Sequence, residues 1–207
     1  MATLEQRVKY VYNSNRLDGV HVPYERTLEL VKAPPDPLDE SAEILGMDQK
    51  RYDRAVVLSH YQALLYVEKI AGDRRPYTEQ DLREIHRRLM DGVILSGGEF
   101  RECTLNYKAV PPVAPADIPR RLKRVLDILN GGIDRPGPKE VLGWQVHHEF
   151  LYVHPFIEGN GRTARLLLNL VRFRSGLDLE LIPFAEHERY LRSLVEYGKK
   201  LAASGSR

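Results

Sequence analysis

Cysteine is nearly absent. Cys103 is the single one in 207 residues, so no internal disulfide can form and no thiolate metal cluster is available. A dominant charge is missing too. Thirty-one Lys and Arg against 29 Asp and Glu leave a formal net charge of +2, too weak to argue for nucleic acid or a membrane surface. No run of about twenty apolar residues occurs, so no membrane span is expected. Met1 to Val11 is charged and lacks an apolar stretch, so it does not read as a signal peptide, and a cytoplasmic protein is expected. Repeats and low-complexity segments are absent. So is the strand–helix alternation of a Rossmann sheet. GxxxxGK[ST] does not occur, which excludes a Walker A phosphate loop.

What is present is ordinary globular composition, 43% apolar and 29% charged, in a length that suits one domain with at most a small extension. Helical periodicity predicts seven or so helices: residues 2–17, 48–71, 79–92, 116–129, 139–152, 160–174 and 186–201. Thr78 reads as an N-cap with Asp81 as its capping-box partner. The proline-rich "KAPPDPLDES" (32–41) reads as a linker and "GGIDRPGPKE" (131–140) as a turn. Residues 96–113, "SGGEFRECTLNYKAVPPV", lack a helical period and predict a short hairpin or flap. The division expected is a helical arm over 1–35, a main domain over 36–202 and a disordered tail over 203–207. The fold class expected is all-α, a helical bundle with a small β-hairpin.

One stretch carries chemistry: "HPFIEGNGRTAR", 154–165. Pro155 is expected to end the incoming helix at His154. Gly159 and Gly161 free the backbone, and Asn160 can cap the helix that follows. A loop of this kind before a helix N-terminus is an anion site suited to phosphate. Arg162 and Arg165 are three apart on the first turn, and two arginines suggest a polyphosphate. Glu158 would repel phosphates unless a hard cation lies between, which suggests Mg²⁺. His154 is left as a general base that deprotonates a hydroxyl. The chemistry is nucleotidyl or phosphoryl transfer from a Mg-nucleotide. The plainer alternative is a helix–loop–helix turn with solvated arginines.

The same stretch resembles the Fic-domain signature HPFx[D/E]GNGRxxR at every fixed position. "VHHEFLYVHPF" resembles the family's preceding helix, and "GEFRE…AVPPV" its flap. The likeness extends over roughly residues 50–200. It implies an all-helical fold with a flap hairpin, and transfer of AMP from ATP to a Ser, Thr or Tyr hydroxyl of a protein. Carried over, His154 is the base and Glu158 the Mg²⁺ ligand. Gly159, Asn160, Gly161 and Arg162 hold the inner phosphates, Arg165 reaches the γ-phosphate, and Phe156 anchors the loop in the core. The flap, with Thr104, Leu105, Tyr107 and Val110, would pin the target segment as an added strand. Doc-type kinases have lysine where this chain has Gly161, which disfavours phosphoryl transfer. The phosphocholine transferases differ after the acid and are disfavoured too.

The N-terminal helix carries a second resemblance. "SNRLDG" (14–19) is similar to the inhibitory motif [S/T]xxxE[G/N] of many Fic proteins, with Asp18 in place of glutamate. Ser14 and Asp18 are thereby inhibitory candidates, with Asp18 facing Arg165. Aspartate is one methylene shorter, so the pair is expected to be strained, water-bridged or absent. The alternative is an ordinary helix end.

Tyr190 is read either as a nucleobase-stacking residue or as a packed tyrosine. His147 reads as a hydrogen-bonded core histidine. His60, His86 and His148 read as surface or satisfied positions. "RRLKR" (120–124) reads as a solvated face, so nucleic acid is disfavoured as a partner. The partners implied are ATP and a protein bearing a hydroxyl, with a homodimer left open. Two rival functions remain: removal of AMP from a modified protein, and a silent interaction module of the same fold.

Overall fold

The structure is a computed structural model, and it describes residues 2–33, 48–106 and 111–204. Eight α-helices occur among them: α1 Leu4–Leu17, α2 Tyr24–Lys32, α3 Gln49–Ala71, α4 Glu79–Leu89, α5 Ile118–Ile133, α6 Lys139–Val153, α7 Asn160–Arg174 and α8 His187–Ser204. Short 3₁₀ turns at Pro115–Asp117 and Phe184–Glu186 lead into α5 and α8. None of these helices is long and apolar enough to cross a membrane.

The central element is α7. Its residues from Arg162 to Val171 are all buried, as befits a helix enclosed on every side. Its broadest contact is with α6, and α1, α3, α4 and α5 also touch it. Leu166, Leu167, Leu170 and Val171 join Val56, Leu64, Leu82, Ile85 and Phe150 in one core. Burying such a side chain is worth roughly 1.5–3 kcal/mol, so α7 is held by packing and its N-terminal turn is a rigid base for a site.

The helix ends follow the sequence signals in most places. Thr3 and Thr78 each close a capping box, with Gln6 and Asp81. Four readings need correction. The 1–35 arm contains a second helix, α2, whose N-cap is Pro23 without a side-chain cap; it buries only Thr27 and Leu30, so its apolar stripe is short. Helix α4 stops at Leu89, not residue 92, because buried Met90 takes a non-helical conformation. Helix α5 continues through Gly131 and Gly132 to Ile133, where a turn was expected, because Leu129 and Ile133 extend its buried stripe. Helix α8 runs through Ala203 and Ser204, which the sequence reading assigned to the tail.

Helix α1 is built into the core. Val8, Tyr10, Val11 and Leu17 are buried, Arg7 bonds Glu68 of α3 through two nitrogens, and Asn15 bonds His60 of α3 at 2.8 Å. The expected flap gives no strand among the described residues. Thr104 and Leu105 lie in irregular chain; Tyr107 and Val110 fall outside the described residues.

Candidate active site

Helix α6 ends at Val153, and His154 takes a left-handed backbone, φ 51° and ψ 59°. Glycine aside, no other described residue has positive φ. Such a conformation costs about 1–3 kcal/mol outside glycine and persists only where the surroundings enforce it. Pro155 explains the break, since it cannot donate to a continuing helix. The half-buried imidazole has Nδ1 3.3 Å from the Leu151 carbonyl. A proton on Nδ1 would donate there and put the lone pair on Nε2. Burial pushes the His154 pKa down to about 4; the Leu151 carbonyl and Asp18 oppose that fall, and the Arg101 cation adds to it. The ring is neutral at pH 7, the state a base requires.

The loop between His154 and α7 is held from inside. Phe156 is fully buried and stacks on His86 with centroids 3.6 Å apart. Asn160 does not cap α7. Its Oδ1 accepts from the Phe156 N–H and its Nδ2 donates to the Phe156 carbonyl, so it cross-braces the loop. The N-cap is Gly159, φ 72°. A Cβ there would meet Met90 Sδ at 2.7 Å, so both the backbone angle and the space require glycine.

At the first turn of α7 the two arginines are buried, each 2% exposed. Arg165 Nε donates to Ser14 Oγ, its Nη2 to the Ser14 carbonyl and to Asp18 Oδ1, all at 2.8 Å, and its Nη1 to Tyr190 Oη at 3.3 Å. Burial pulls the Arg165 pKa down, but the Asp18 carboxylate and the neighbouring tyrosines outweigh it, and the group stays firmly cationic. Arg162 Nε lies 3.4 Å from Asp18 Oδ2. Its Nε and Nη1 are buried and have no hydrogen-bond partner among the described residues. A buried cation with unspent donors is costly.

Of the strained, water-bridged or absent Asp18–Arg165 pair expected, the last two are corrected: the contact is direct at 2.8 Å. The shorter side chain reaches because nothing projects from α7 at that point. A Cβ on Gly161 would lie 2.7 Å from Asp18 Oδ1 and 3.2 Å from Arg165 Nη1. Asp18 therefore rests directly over the helix's first turn, where an anion is favoured.

Tyr190 is 6% exposed. Its hydroxyl takes the hydrogen bond from Arg165 and meets His147 Nε2 at 2.9 Å. Burial drives the His147 pKa well down, helped by His148 and Arg165. The ring of Tyr190 lines the cavity, yet its hydroxyl is spent on Arg165 rather than left at the surface. Of the surface or satisfied readings, His60 and His86 take the second: both are buried, and His60 Nδ1 meets Asn15 Oδ1 at 2.8 Å. His86 accepts from the Gly98 N–H at Nδ1 and donates from Nε2 to the Glu158 carbonyl. Burial brings its pKa down to about 4, the Glu158 carbonyl opposing and Arg162 assisting.

Two residues escaped sequence reasoning. His86 is one; Arg101 is the other, 3% exposed and bonded to the carbonyls of His154, Cys103, Val113 and Val153. The sequence signal for Arg101 was its place in "GEFRE", within the family-like flap.

A cavity of about 480 Å³ joins these groups. Asp18, His154, Glu158, Asn160, Gly161, Arg165 and Tyr190 line it together with Leu151, Leu191, Leu194 and Val195. Glu158 is exposed at its rim. Thr104 and Leu105 are not among the lining residues. No group of three or more His, Cys, Asp or Glu among the described residues is placed to hold a metal ion, and the carboxylates lining the cavity are Asp18, bonded to Arg165, and the exposed Glu158. That donor set fits Mg²⁺ held mainly by substrate phosphates.

Among the described residues this is an all-helical protein in which the buried N-terminus of α7, with Arg165, and the His154 imidazole line one cleft. The chain carries a domain of the Fic/DOC family, whose family model matches residues 76–171. It is 28% identical over 209 residues to a Protein adenylyltransferase Fic of Drosophila willistoni, covering 99% of this chain and 38% of that protein. Among solved structures it resembles a Fic domain containing signaling protein from Bacteroides thetaiotaomicron, with TM-score 0.79 and 26% identity over 92% of this chain and 71% of that one. It also resembles Fic-1 from C. elegans, with TM-score 0.77 and 25% identity over 96% of this chain and 60% of that one. The chain thus spans about two fifths of the curated relative it matches.

Proposed function

We propose that this protein transfers AMP from ATP to a hydroxyl of a protein, and that its own N-terminal helix restrains the reaction. The observation that carries the reading is the anion cradle at α7, with the Asp18 carboxylate lodged against Arg165 and Arg162 donors left unspent. The relatives named adenylyltransferases support it.

In this reading Arg162 and the N–H groups at the start of α7 hold the inner phosphates, and Arg165 the γ-phosphate. The nucleoside lies toward Leu191 and Val195. Mg²⁺, when bound, neutralises phosphate charge, and Glu158 is the residue that would hold it. His154 takes the proton of the incoming hydroxyl at Nε2. The hydroxyl oxygen forms a bond to the α-phosphorus, the bond to the bridging oxygen breaks, and pyrophosphate leaves. Residues around 104–110 would hold the target segment, of Ser, Thr or Tyr type. Ser14 and Asp18 restrain the site by occupying Arg165.

Intact-mass analysis tests this, after incubation with each nucleoside triphosphate and Mg²⁺. Asp18→Gly is expected to gain one adenylate mass from ATP, several-fold faster than the parent. Equal rates in the two would leave α1 a purely structural element. ATP binding without transfer in Asp18→Gly would favour the interaction module. A pre-modified protein that loses AMP with Mg²⁺ and water alone would favour hydrolytic removal of AMP.

A further inference from the structure

We propose that Arg101 is the positioning residue that holds His154 in its left-handed conformation, from which the imidazole lines the cavity. The inference rests on reading His154 as the base.

The strained residue sits at a helix end, where backbone carbonyls lose their partners. Three consecutive carbonyls there are met by Arg101. Its Nη2 donates to Val153 at 3.4 Å, its Nε to His154 at 2.8 Å and its backbone N–H to Pro155 at 2.9 Å. Pro155 has no N–H to help. The other donors fix the guanidinium itself: Nη1 to the Cys103 carbonyl at 2.8 Å and Nη2 to the Val113 carbonyl at 2.6 Å. One planar fork thereby ties three strands of chain to the base. A lysine supplies charge without the fork and can reach only part of that set. A displacement of about 1 Å at a catalytic group costs on the order of a hundredfold in rate, so the register of His154 is worth a buried cation.

The test uses the full chain in the Asp18→Gly background. Arg101→Lys is expected to lower kcat for AMP transfer by about ten- to a hundredfold, with KM for ATP within about twofold. The His154 ring resonances, assigned by their loss in His154→Ala, are expected to move. Arg83→Gln is the comparator. Arg83 bonds the Gly98 carbonyl and covers Phe100, so it touches the same segment without reaching residues 153–155. It is expected to change neither kcat nor the His154 resonances. Unmoved His154 resonances in Arg101→Lys, or shifts matched by Arg83→Gln, would overturn the proposal. A parallel loss of ATP affinity and kcat would also overturn it, as a general structural effect. Should Asp18→Gly transfer no AMP, the functional reading fails, while the resonances still decide the positioning claim. Should Arg101→Lys not fold, the wild-type protein decides it: a slowly exchanging Arg101 Nε–H close to the His154 α-proton is expected, and a rapidly exchanging one would refute it.

Discussion

The two walls of the cleft are built from similar residues and work differently. On the α1 side a buried arginine, Arg165, meets a carboxylate from 147 residues away. On the side of His154 a buried arginine, Arg101, donates to four backbone carbonyls, and His86 links two backbone groups. A carboxylate can be exchanged for a phosphate, because both are anions with oxygens that suit the guanidinium fork. A backbone carbonyl cannot leave without unfolding its segment. The first wall is therefore exchangeable and the second permanent. In the proposed reading, ligand and regulation belong to one, and alignment of the base to the other.

Several substitutions can break or sharpen that contrast. The largest effect belongs to the permanent wall. His154→Ala is expected to lower transfer about 10²–10⁴-fold and to leave ATP affinity unchanged by calorimetry, since the imidazole serves the hydroxyl and not the phosphates. A matching fall in ATP affinity would join the two walls into one. Next comes the exchangeable wall. Arg162→Ala should weaken ATP binding by about 1.5–3 kcal/mol, the worth of a charge-assisted contact. An unchanged dissociation constant would remove the phosphate assignment.

Acid should then loosen the permanent wall. His86 and His154 have pKa values brought to about 4 by burial, against about 6.5 in an unfolded chain. Their contribution to stability is complete above about pH 6.5. Between 6.5 and 4 the unfolded chain takes up protons that the folded one refuses. Stability should fall there by up to about 1.4 kcal/mol per pH unit for each histidine, and level off for these two below 4. Urea midpoints at pH 7, 6 and 5 check the slope, and His86→Gln should make it shallower. A flat profile would mean that both rings protonate freely in the folded state.

The smallest effect is expected from Tyr190→Phe, about 1 kcal/mol of stability by thermal unfolding. Arg165 keeps Ser14 and Asp18 without the tyrosine hydroxyl. A loss several times larger would make Tyr190, and not Asp18, the main support of the exchangeable wall.

Much of this was legible in the linear chain. The span of α7, Asn160–Arg174, follows from a glycine-rich loop before it and Gly176 after it. The break at His154 follows from Pro155. The groups that make an anion site also lie within twelve successive residues, and their relative placement needs only local geometry. Helix α2 was missed because Pro23 offers no side-chain cap and the helix buries only Thr27 and Leu30. Arg101 and His86 were missed for a deeper reason. Their partners are carbonyls and one N–H, which every residue possesses, so apart from the place of Arg101 in "GEFRE" no pattern of side chains announces them.

By itself, then, the sequence determined the all-helical class and the helix–loop–helix at residues 154–165, because each depends on near neighbours in the chain. Only the tertiary structure decided whether Asp18 reaches Arg165. From side-chain length alone the aspartate is too short. The packing of α1 into the core, and the missing side chain at Gly161, bring its carboxylate to 2.8 Å. A distance across 147 residues is set by how helices pack, and packing is a sum over many buried contacts that no short motif contains.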